Sequence, residues 1–441
     1  MADKTSARTL AFHSLLKCFR DRRYSNIEID SVIKQNNLDS REKGLFTALV
    51  YGVIEKRLML DYIISSLSHR PCDNIVPAVM TVLEMGIYQI LFFDRVPDSA
   101  ACNESVETAK KLAGEGAGKF VNAILREIVR KKDNIESLFD RLEGDEYLSI
   151  RYSVPVWIIN ILKDSYGQEK AVEIIKAFEG KSYMTLRTNT LRATREGLVQ
   201  TLKNGGIDAE VCQGTKWGVD LLQSVPTDRL EKIAGGLYIV QDKSSQIAVE
   251  RLSVEKGDFI IDCCACPGGK SISSAFCAEN DGSILSLDLH KNKLSLVEKS
   301  AGAMGIDIIK TMEHNGTTPL EEYIGKADKV ICDVPCSGLG VIHKKPDIRH
   351  KNPQDIEKLP TVQYSILCAS SQYLKVGGKL LYSTCTLNKA ENDDITEKFL
   401  NEHRDFRRVS GEKKGITSFP ALLEGIVKND GFYTDVIERF R

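Results

Sequence analysis

The 441-residue sequence predicts an α/β protein: a doubly wound sheet in its second half, preceded by an all-α region and a small α+β module. Two observations carry this. From about residue 236 onward, continuous apolar runs bounded by turn residues alternate with helical segments, as in strands covered on both faces. Before about residue 140, helix follows helix with no strand alternation. The expected domains are therefore 1–140, 141–235 and 236–441.

In the first region Leu10, Phe12, Leu15, Leu16 and Phe19 recur at helical spacing. Ser40 is expected to cap a helix running through Phe46, Leu49, Val50 and Val53. Pro71, Pro97 and the stretch Gly114–Gly118 punctuate the bundle, and its end is basic, with Arg126, Arg130, Lys131 and Lys132. The window Ile75–Phe93 is apolar enough to raise a membrane span. It contains Pro77, Glu84 and Gln89, however, and charge at mid-span is costly in lipid, so a buried helix is the better reading.

In the middle region two helical patterns, Trp157–Tyr166 and Arg195–Asn204, flank a strand-like run at Tyr183–Thr188. Gly205 and Gly206 close the second helix, and a short strand is expected at Asp208–Val211. In the last region the expected strands are Phe259–Cys264, Ser283–Asp288, Asp307–Thr311, Lys329–Asp333, Lys379–Ser383 and Phe432–Phe440. Ligands of such a sheet bind at the carboxyl ends of its strands.

The totals exclude some classes. With 60 Lys+Arg against 61 Asp+Glu there is no global basic field, so any nucleic-acid binding must come from local patches. Twelve Cys and a polar start, MADKTSARTL, fit a reducing, cytoplasmic compartment.

Chemistry concentrates at three turns. The first runs from Asp262 through Cys263, Cys264, Ala265, Cys266, Pro267, Gly268 and Gly269 to Lys270 and Ser271. Its glycine pair lets backbone approach a ligand, and the helix that follows offers N–H groups. A P-loop needs glycine where Cys264 stands, and the dinucleotide fingerprint G-x-G-x-x-G is absent. A methyltransferase loop needs only the tight turn and a ribose-binding acid at the end of the next strand, which Asp288 supplies. Cys263 and Cys266 form a C-x-x-C with no second ligand pair, so packing is expected there and no metal.

The second turn is Asp333-Val334-Pro335-Cys336-Ser337-Gly338 and the third Tyr382-Ser383-Thr384-Cys385-Thr386-Leu387, each at a strand tip. A lone thiol is usually a packed, inert one. Two thiols on adjacent strand tips, with an acid and a ligand loop, resemble a nucleophile constellation. The basic run His343–Lys351, just beyond, is expected to meet a phosphate backbone.

Together the Asp-Val-Pro-Cys-Ser-Gly, Tyr-Ser-Thr-Cys-Thr and Pro-Gly-Gly-Lys elements resemble the RNA cytosine-C5 methyltransferases of the NOL1/NOP2/sun family. Gln241-Asp242-Lys243-Ser244-Ser245-Gln246 is similar to that family's Q-D-x-S-[AS]-Q element, and Asp430-Gly431-Phe432-Tyr433 to its terminal strand. The helical front, with Val121-Asn122-Ala123-Ile124-Leu125-Arg126, resembles the antiterminator NusB, an extension carried by bacterial members that act on small-subunit rRNA.

The resemblance implies a Rossmann-like S-adenosylmethionine-dependent methyltransferase core, with RNA-binding roles for the NusB-like domain and the α+β module. It implies S-adenosyl-L-methionine as cofactor and 16S ribosomal RNA as partner, with cytosine 967 as the family target. A monomer is expected, acting on neither DNA nor membrane. Cys385 would be the nucleophile that adds to cytosine C6, Cys336 would assist product release, and Asp333 would meet N3. Cys264, Ala265, Cys266, Pro267, Gly268, Gly269 and Lys270 would frame the cofactor, with Asp333 beside them. Asp288 would hold its ribose and Asn315 its adenine.

Two positions depart from the family pattern. Cys266 replaces an alanine of the loop, and Asn315 replaces an aspartate of the adenine-contacting turn, so it brings no charge and could either accept from the adenine amino group or offer its amide N–H. An amino-N methyltransferase would instead want an N-P-P-Y-like turn, and a DNA cytosine-C5 enzyme would place its nucleophile in the P-C turn. A non-catalytic RNA-binding factor is disfavoured, because both thiols, Asp288 and Pro-Gly-Gly-Lys are intact. A base stacked in a helix is out of reach for C6 attack, so the target must be unpaired or flipped.

Overall fold

The computed structural model describes residues 6–21, 23–409 and 411–441; the polar start, residues 1–5, lies outside them. The chain divides into two compact units. One runs to Lys163 and includes Lys345–Lys351; the other comprises Asp164–Lys344 and Asn352–Arg441.

The first unit is all-α: α1 (Ala7–Asp21), α2 (Ser25–Gln35), α3 (Ser40–Ser68), α4 (Pro77–Phe92), α5 (Asp98–Ala113), α6 (Glu115–Lys131) and α7 (Gly144–Tyr152). The cap of α3 is Asp39, not Ser40. The Asp39 carboxylate accepts Glu42 N–H at 2.8 Å while Glu42 accepts Asp39 N–H at 3.2 Å, a reciprocal box that Ser40 cannot make from inside the helix. The apolar window is α4, buried in the core through Val82, Leu83, Ile87 and Ile90. Among the described residues no helix is long and apolar enough to cross a membrane. Glu84 of α4 is also buried. It shares Arg57 of α3 with Asp61, at 3.2 and 3.9 Å respectively.

The basic end of α6 is partly neutralised. Arg130 and Lys131 both pair with Glu127, and Lys132 lies 3.0 Å from Asp98. The segment Lys345–Lys351 is a working part of this unit. Ser25 donates its N–H and Oγ–H to the Asp347 carboxylate at 3.0 and 2.5 Å, and a His350 ring nitrogen lies 2.9 Å from Ile54 O. Pro346, Ile348 and Arg349 are buried.

The helix α8 (Val156–Tyr166) leads into the second unit, followed by α9 (Gln168–Ala177). An α+β module comes next: β1 (Thr185–Thr188), α10 (Arg195–Asn204), β2 (Ala209–Val211), β3 (Gly218–Leu221), α11 (Thr227–Ala234) and β4 (Tyr238–Val240). Its antiparallel sheet, ordered β2-β3-β1-β4, packs Leu186, Val219 and Leu221 against Leu198, Leu202 and Leu230.

The main sheet follows, built from α12 (Lys243–Leu252), β5 (Phe259–Asp262), α13 (Gly269–Cys277), β6 (Ser283–Asp288), α14 (Lys291–Met304), β7 (Ile309–Glu313) and β8 (Ala327–Asp333). It continues through α15 (Pro353–Glu357), α16 (Leu359–Ser371), β9 (Leu374–Thr384), α17 (Asp393–Glu402) and β10 (Phe406–Arg408). The chain ends with β11 (Ile416–Ser418), the hairpin β12 (Leu422–Leu423) and β13 (Ile426–Val427), and β14 (Phe432–Arg439). The strand order is β10-β14-β9-β8-β5-β6-β7, with β11 beside β14. The five strands from β7 to β9 are parallel, and β14 runs antiparallel to β9. Ile261, Leu285, Val330 and Leu380 fill the core on one face, and Ile260, Ile284, Ile331 and Leu381 on the other. Full burial of each such side chain stabilises by roughly 1.5–3 kcal/mol, which is why these strands read as unbroken apolar runs. The topology reverses between β5 and β8, so the crevice at their carboxyl ends is where a ligand belongs.

Candidate active site

Loops from the carboxyl ends of the neighbouring strands β5, β8 and β9 carry the three motifs. Backbone bonds fold the first: Cys263 N–H to Ile331 O at 2.9 Å, Ala265 N–H to Leu287 O at 2.8 Å and Gly268 N–H to Ala265 O at 2.6 Å. Gly268 has φ +107°, and a Cβ there would lie 3.2–3.3 Å from Val297, so glycine alone brings this turn so close to α14. The helix α13 then starts at Gly269, and first-turn amides of a helix have no partner within it. Behind the loop, buried Asp262 accepts Ser271 Oγ–H at 2.7 Å. Burial pushes its carboxyl up to about 7, against the pull of that hydrogen bond.

Asp288 ends β6. One of its oxygens accepts His290 N–H at 3.0 Å and the other Cys266 N–H at 3.3 Å. The side chain is partly exposed, and a carboxylate at this strand tip can accept from the hydroxyls of a ribose. Burial, and then the Asp288 charge, push the Cys266 thiol up to about 12, so it stays neutral in the place of an alanine. For Asn315 the structure favours one of the two expected alternatives. Its Oδ1 already accepts Thr317 N–H at 3.1 Å and Thr317 Oγ–H at 2.9 Å, so what it presents is an amide donor rather than an acceptor. Its turn packs on the β5 loop, with a Cβ on Gly316 reaching within 3.4 Å of Cys263 O.

At the tip of β8, Asp333 receives Lys270 Nζ at 2.7 Å and Ser383 Oγ–H at 2.7 Å, one on each oxygen. Lys270 is buried, with its ammonium 5.2 Å from the Phe432 ring centre. The two thiols meet: Cys336 Sγ lies 3.3 Å from Cys385 Sγ. The hydrogen bond to Cys385 first, and burial second, hold the Cys336 thiol well above the ordinary cysteine range.

Three side chains without a role in the sequence reading lock these turns. Glu391, fully buried, accepts Ser337 N–H at 2.9 Å, Gln363 Nε2–H at 2.9 Å and Asn388 Nδ2–H at 3.0 Å. Gln363 also donates to Pro335 O at 2.9 Å. Asn392 accepts Thr384 Oγ–H at 2.6 Å and donates to Thr386 O at 3.0 Å. The available signal was the polar cluster Asn388, Glu391 and Asn392 directly after the third motif. Gly340 N–H donates to Cys385 O at 3.0 Å, and a Cβ on Gly340 would fall 1.9 Å from Gly431 O, so the start of β14 rests on this loop.

Part of the basic run is engaged within the protein rather than left free for a phosphate backbone. Lys344 Nζ sits 2.6 Å from Asp242 and 2.8 Å from Asp430, and His343 Nε2 lies 3.0 Å from Asp430. With Arg349 buried as well, much of the positive charge meets internal acids or is enclosed by protein. Among the described residues no group of three or more His, Cys, Asp or Glu could hold a metal ion.

The family model described as 16S rRNA methyltransferase RsmB/F matches residues 249–434. The NusB family matches 5–130, and the RsmF/B-like ferredoxin-like domain matches 154–228. A probable ribosomal RNA small subunit methyltransferase B from Bacillus subtilis (strain 168) is 36% identical over 412 residues, covering 91% of this chain and 90% of its own. Its namesake from Synechocystis is 32% identical over 441 residues, 97% and 98% of the two chains. The crystal structure of PH0851 aligns over 99% of each chain with a TM-score of 0.81 at 21% identity, a likeness of fold.

Proposed function

This chain belongs to the RsmB/F family of S-adenosylmethionine-dependent methyltransferases, and from that premise we propose that it methylates C5 of a cytosine in 16S rRNA, cytosine 967 by family precedent, through a covalent bond between Cys385 and C6. The observation that carries the reading is the pair of thiols 3.3 Å apart beside the Lys270–Asp333 pair. On this reading the protein is a cytoplasmic monomer acting on RNA, and 1–140 and 141–235 are RNA-binding parts in front of a catalytic part, 236–441.

Asp288 would hold the cofactor's ribose, residues 264–270 its flank, and Asn315 its adenine through the amide donor. When bound, the cofactor supplies an electrophilic methyl group. The nucleophile must be a thiolate, and free cysteine near pKa 8.5 is only a few per cent ionised at neutral pH. On this reading Cys336, kept as S–H, is the donor in the Sγ–Sγ contact, an arrangement that suits a thiolate nucleophile at Cys385. As Cys385 adds to C6, electron density moves through the ring to C5 and N3. Asp333, expected at N3, already takes Lys270 and Ser383 on its two oxygens; on our reading Lys270 therefore donates the hydrogen bond at N3, while Asp333 fixes that ammonium and accepts from the exocyclic amine.

Release must return a proton and break the C6–S bond. Cys336 gives its proton to the departing Cys385 sulfur and, now a thiolate, takes the proton from C5. The C5–H electron pair forms the C5–C6 double bond as the C6–S pair returns to sulfur. Both thiols end protonated, and the net movement is of one proton from C5 to Cys385.

The roles leave different traces. Cys385→Ala should give neither product nor adduct. Cys336→Ala should stall after methyl transfer, leaving a ribonuclease-sensitive, slow-migrating protein–RNA band on a denaturing gel. An adduct in Cys385→Ala and none in Cys336→Ala would reverse the assignment. Bisulfite sequencing of 16S rRNA from a strain lacking the gene tests the target nucleotide.

A further inference from the structure

Gln241 lies between β4 and α12 with its side chain buried. Its carboxamide makes two bonds to the start of α13: Nε2–H donates to Gly269 O at 3.0 Å, and Oε1 accepts Ser273 Oγ–H at 2.6 Å. Its own backbone carbonyl accepts Gln246 Nε2–H at 2.9 Å. Gln246 is fully buried, donates also to Leu186 O in β1 at 3.3 Å, and accepts Thr215 Oγ–H at 3.1 Å. The residue after Gly269 is Lys270, whose ammonium lies 2.7 Å from Asp333. A continuous chain of bonds thus runs from the α+β module through Gln246 and Gln241 into the first turn of α13, next to the lysine paired with Asp333.

The chemistry at position 241 is specific. The Gln241 carboxamide donates to Gly269 O while it accepts from Ser273 Oγ. Glutamate lacks the donor and leucine lacks both. A lysine has four side-chain rotors, so the place of its ammonium depends on how its backbone is held.

We propose that Gln241 is a positioning residue for methyl transfer, holding the first turn of α13 so that Lys270 stays on Asp333. The inference rests on the reading that Lys270 and Asp333 serve cytosine N3. Gln246 extends the tether to the α+β module.

The test is an epistasis experiment on the full-length protein. Single-turnover methylation of a 16S rRNA fragment is measured at saturating S-adenosylmethionine and normalised to cofactor sites counted by calorimetry. Gln241→Leu should lower the rate about 10–100-fold, the order expected for a misplaced catalytic group, with RNA affinity unchanged. In a Lys270→Ala background the same substitution should cost nothing further. In the cofactor-free protein, acetic anhydride should label Lys270 about fivefold faster in Gln241→Leu, while the buried Lys329 keeps its rate, as a local loosening requires.

A further loss in the Lys270→Ala background, or equal acceleration at Lys329, would mean that Gln241 only supports the fold, and the proposal falls. If Gln241→Leu does not fold, Ser273→Ala removes one of the two bonds and should show the same pattern at a few-fold scale. Wild-type turnover by Lys270→Ala would sink the N3 reading itself. A slow Lys270→Ala beside a normal Gln241→Leu would sink only the present inference.

Discussion

Each oxygen of Asp288 already holds one backbone amide, which orients the carboxylate before any ligand arrives. Asp288→Ala should weaken S-adenosylmethionine binding by about tenfold or more, since hydrogen bonds to a charged group contribute roughly 1.5–3 kcal/mol each. Asp288→Asn, which keeps the shape and one acceptor, should fall between. Isothermal titration gives the cofactor Kd, and a filter assay should give an unchanged RNA Kd for the apoprotein. An unaltered cofactor Kd in Asp288→Ala would remove the ribose assignment. At this scale the sequence was informative because the acid, the glycine pair and both thiols stand at strand tips. Asn315 shows where it stopped: side-chain chemistry allowed acceptor or donor, and only the Thr317 bonds decide which end faces outward.

Among the elements, α3 and α4 are joined by a charge cluster rather than by apolar contact alone. Burial, with the Asp61 charge beside it, pushes the Glu84 carboxyl up to about 8, and Arg57 opposes that rise. A carboxyl raised in the folded state binds a proton that the unfolded chain releases. Its stabilising contribution is therefore complete below the unfolded value near 4.5 and is lost as pH rises through about 8. Hydrogen exchange of α4, corrected for intrinsic rate, should show protection falling between pH 5 and 8, and Glu84→Gln should flatten that dependence. Protection in the wild type that does not change with pH would contradict the account. The long elements were legible, since α4 and the parallel strands are apolar runs whose burial dictates their type. The strands β3 and β4 and the helix α11 were not, being three to eight residues long and defined by pairing with partners far along the chain. The cap at Asp39 was missed by one residue because serine and aspartate compete for that role on equal terms.

For the molecule as a whole, the run His343–Lys351 is instructive. Its composition suggested phosphate contact, yet Pro346 and Ile348 are apolar anchors within the helical unit, the Lys344 ammonium meets Asp242 and Asp430, and a His343 ring nitrogen lies 3.0 Å from Asp430. A chain beginning at Asp164 should still bind S-adenosylmethionine but lose most 16S rRNA methylation, because the helical front positions RNA on our reading. It should also aggregate at lower temperature than the full chain, its segment 345–351 having lost the helices that cover it, and Ile348→Ser should relieve part of that. Calorimetry, a tritium-transfer assay and light scattering read the three outcomes. Full methylation by the shortened chain would remove the docking role.

The same segment sets a clock. A ribosome that has released the helices through Lys163 must add about 180 residues more before 345–351 emerges. At about 5–20 residues per second that is on the order of 10–40 s. Throughout that interval Ser25 and the carbonyl of Ile54 have only water where Asp347 and His350 will come. The first part of the protein to be made is thus among the last to be finished.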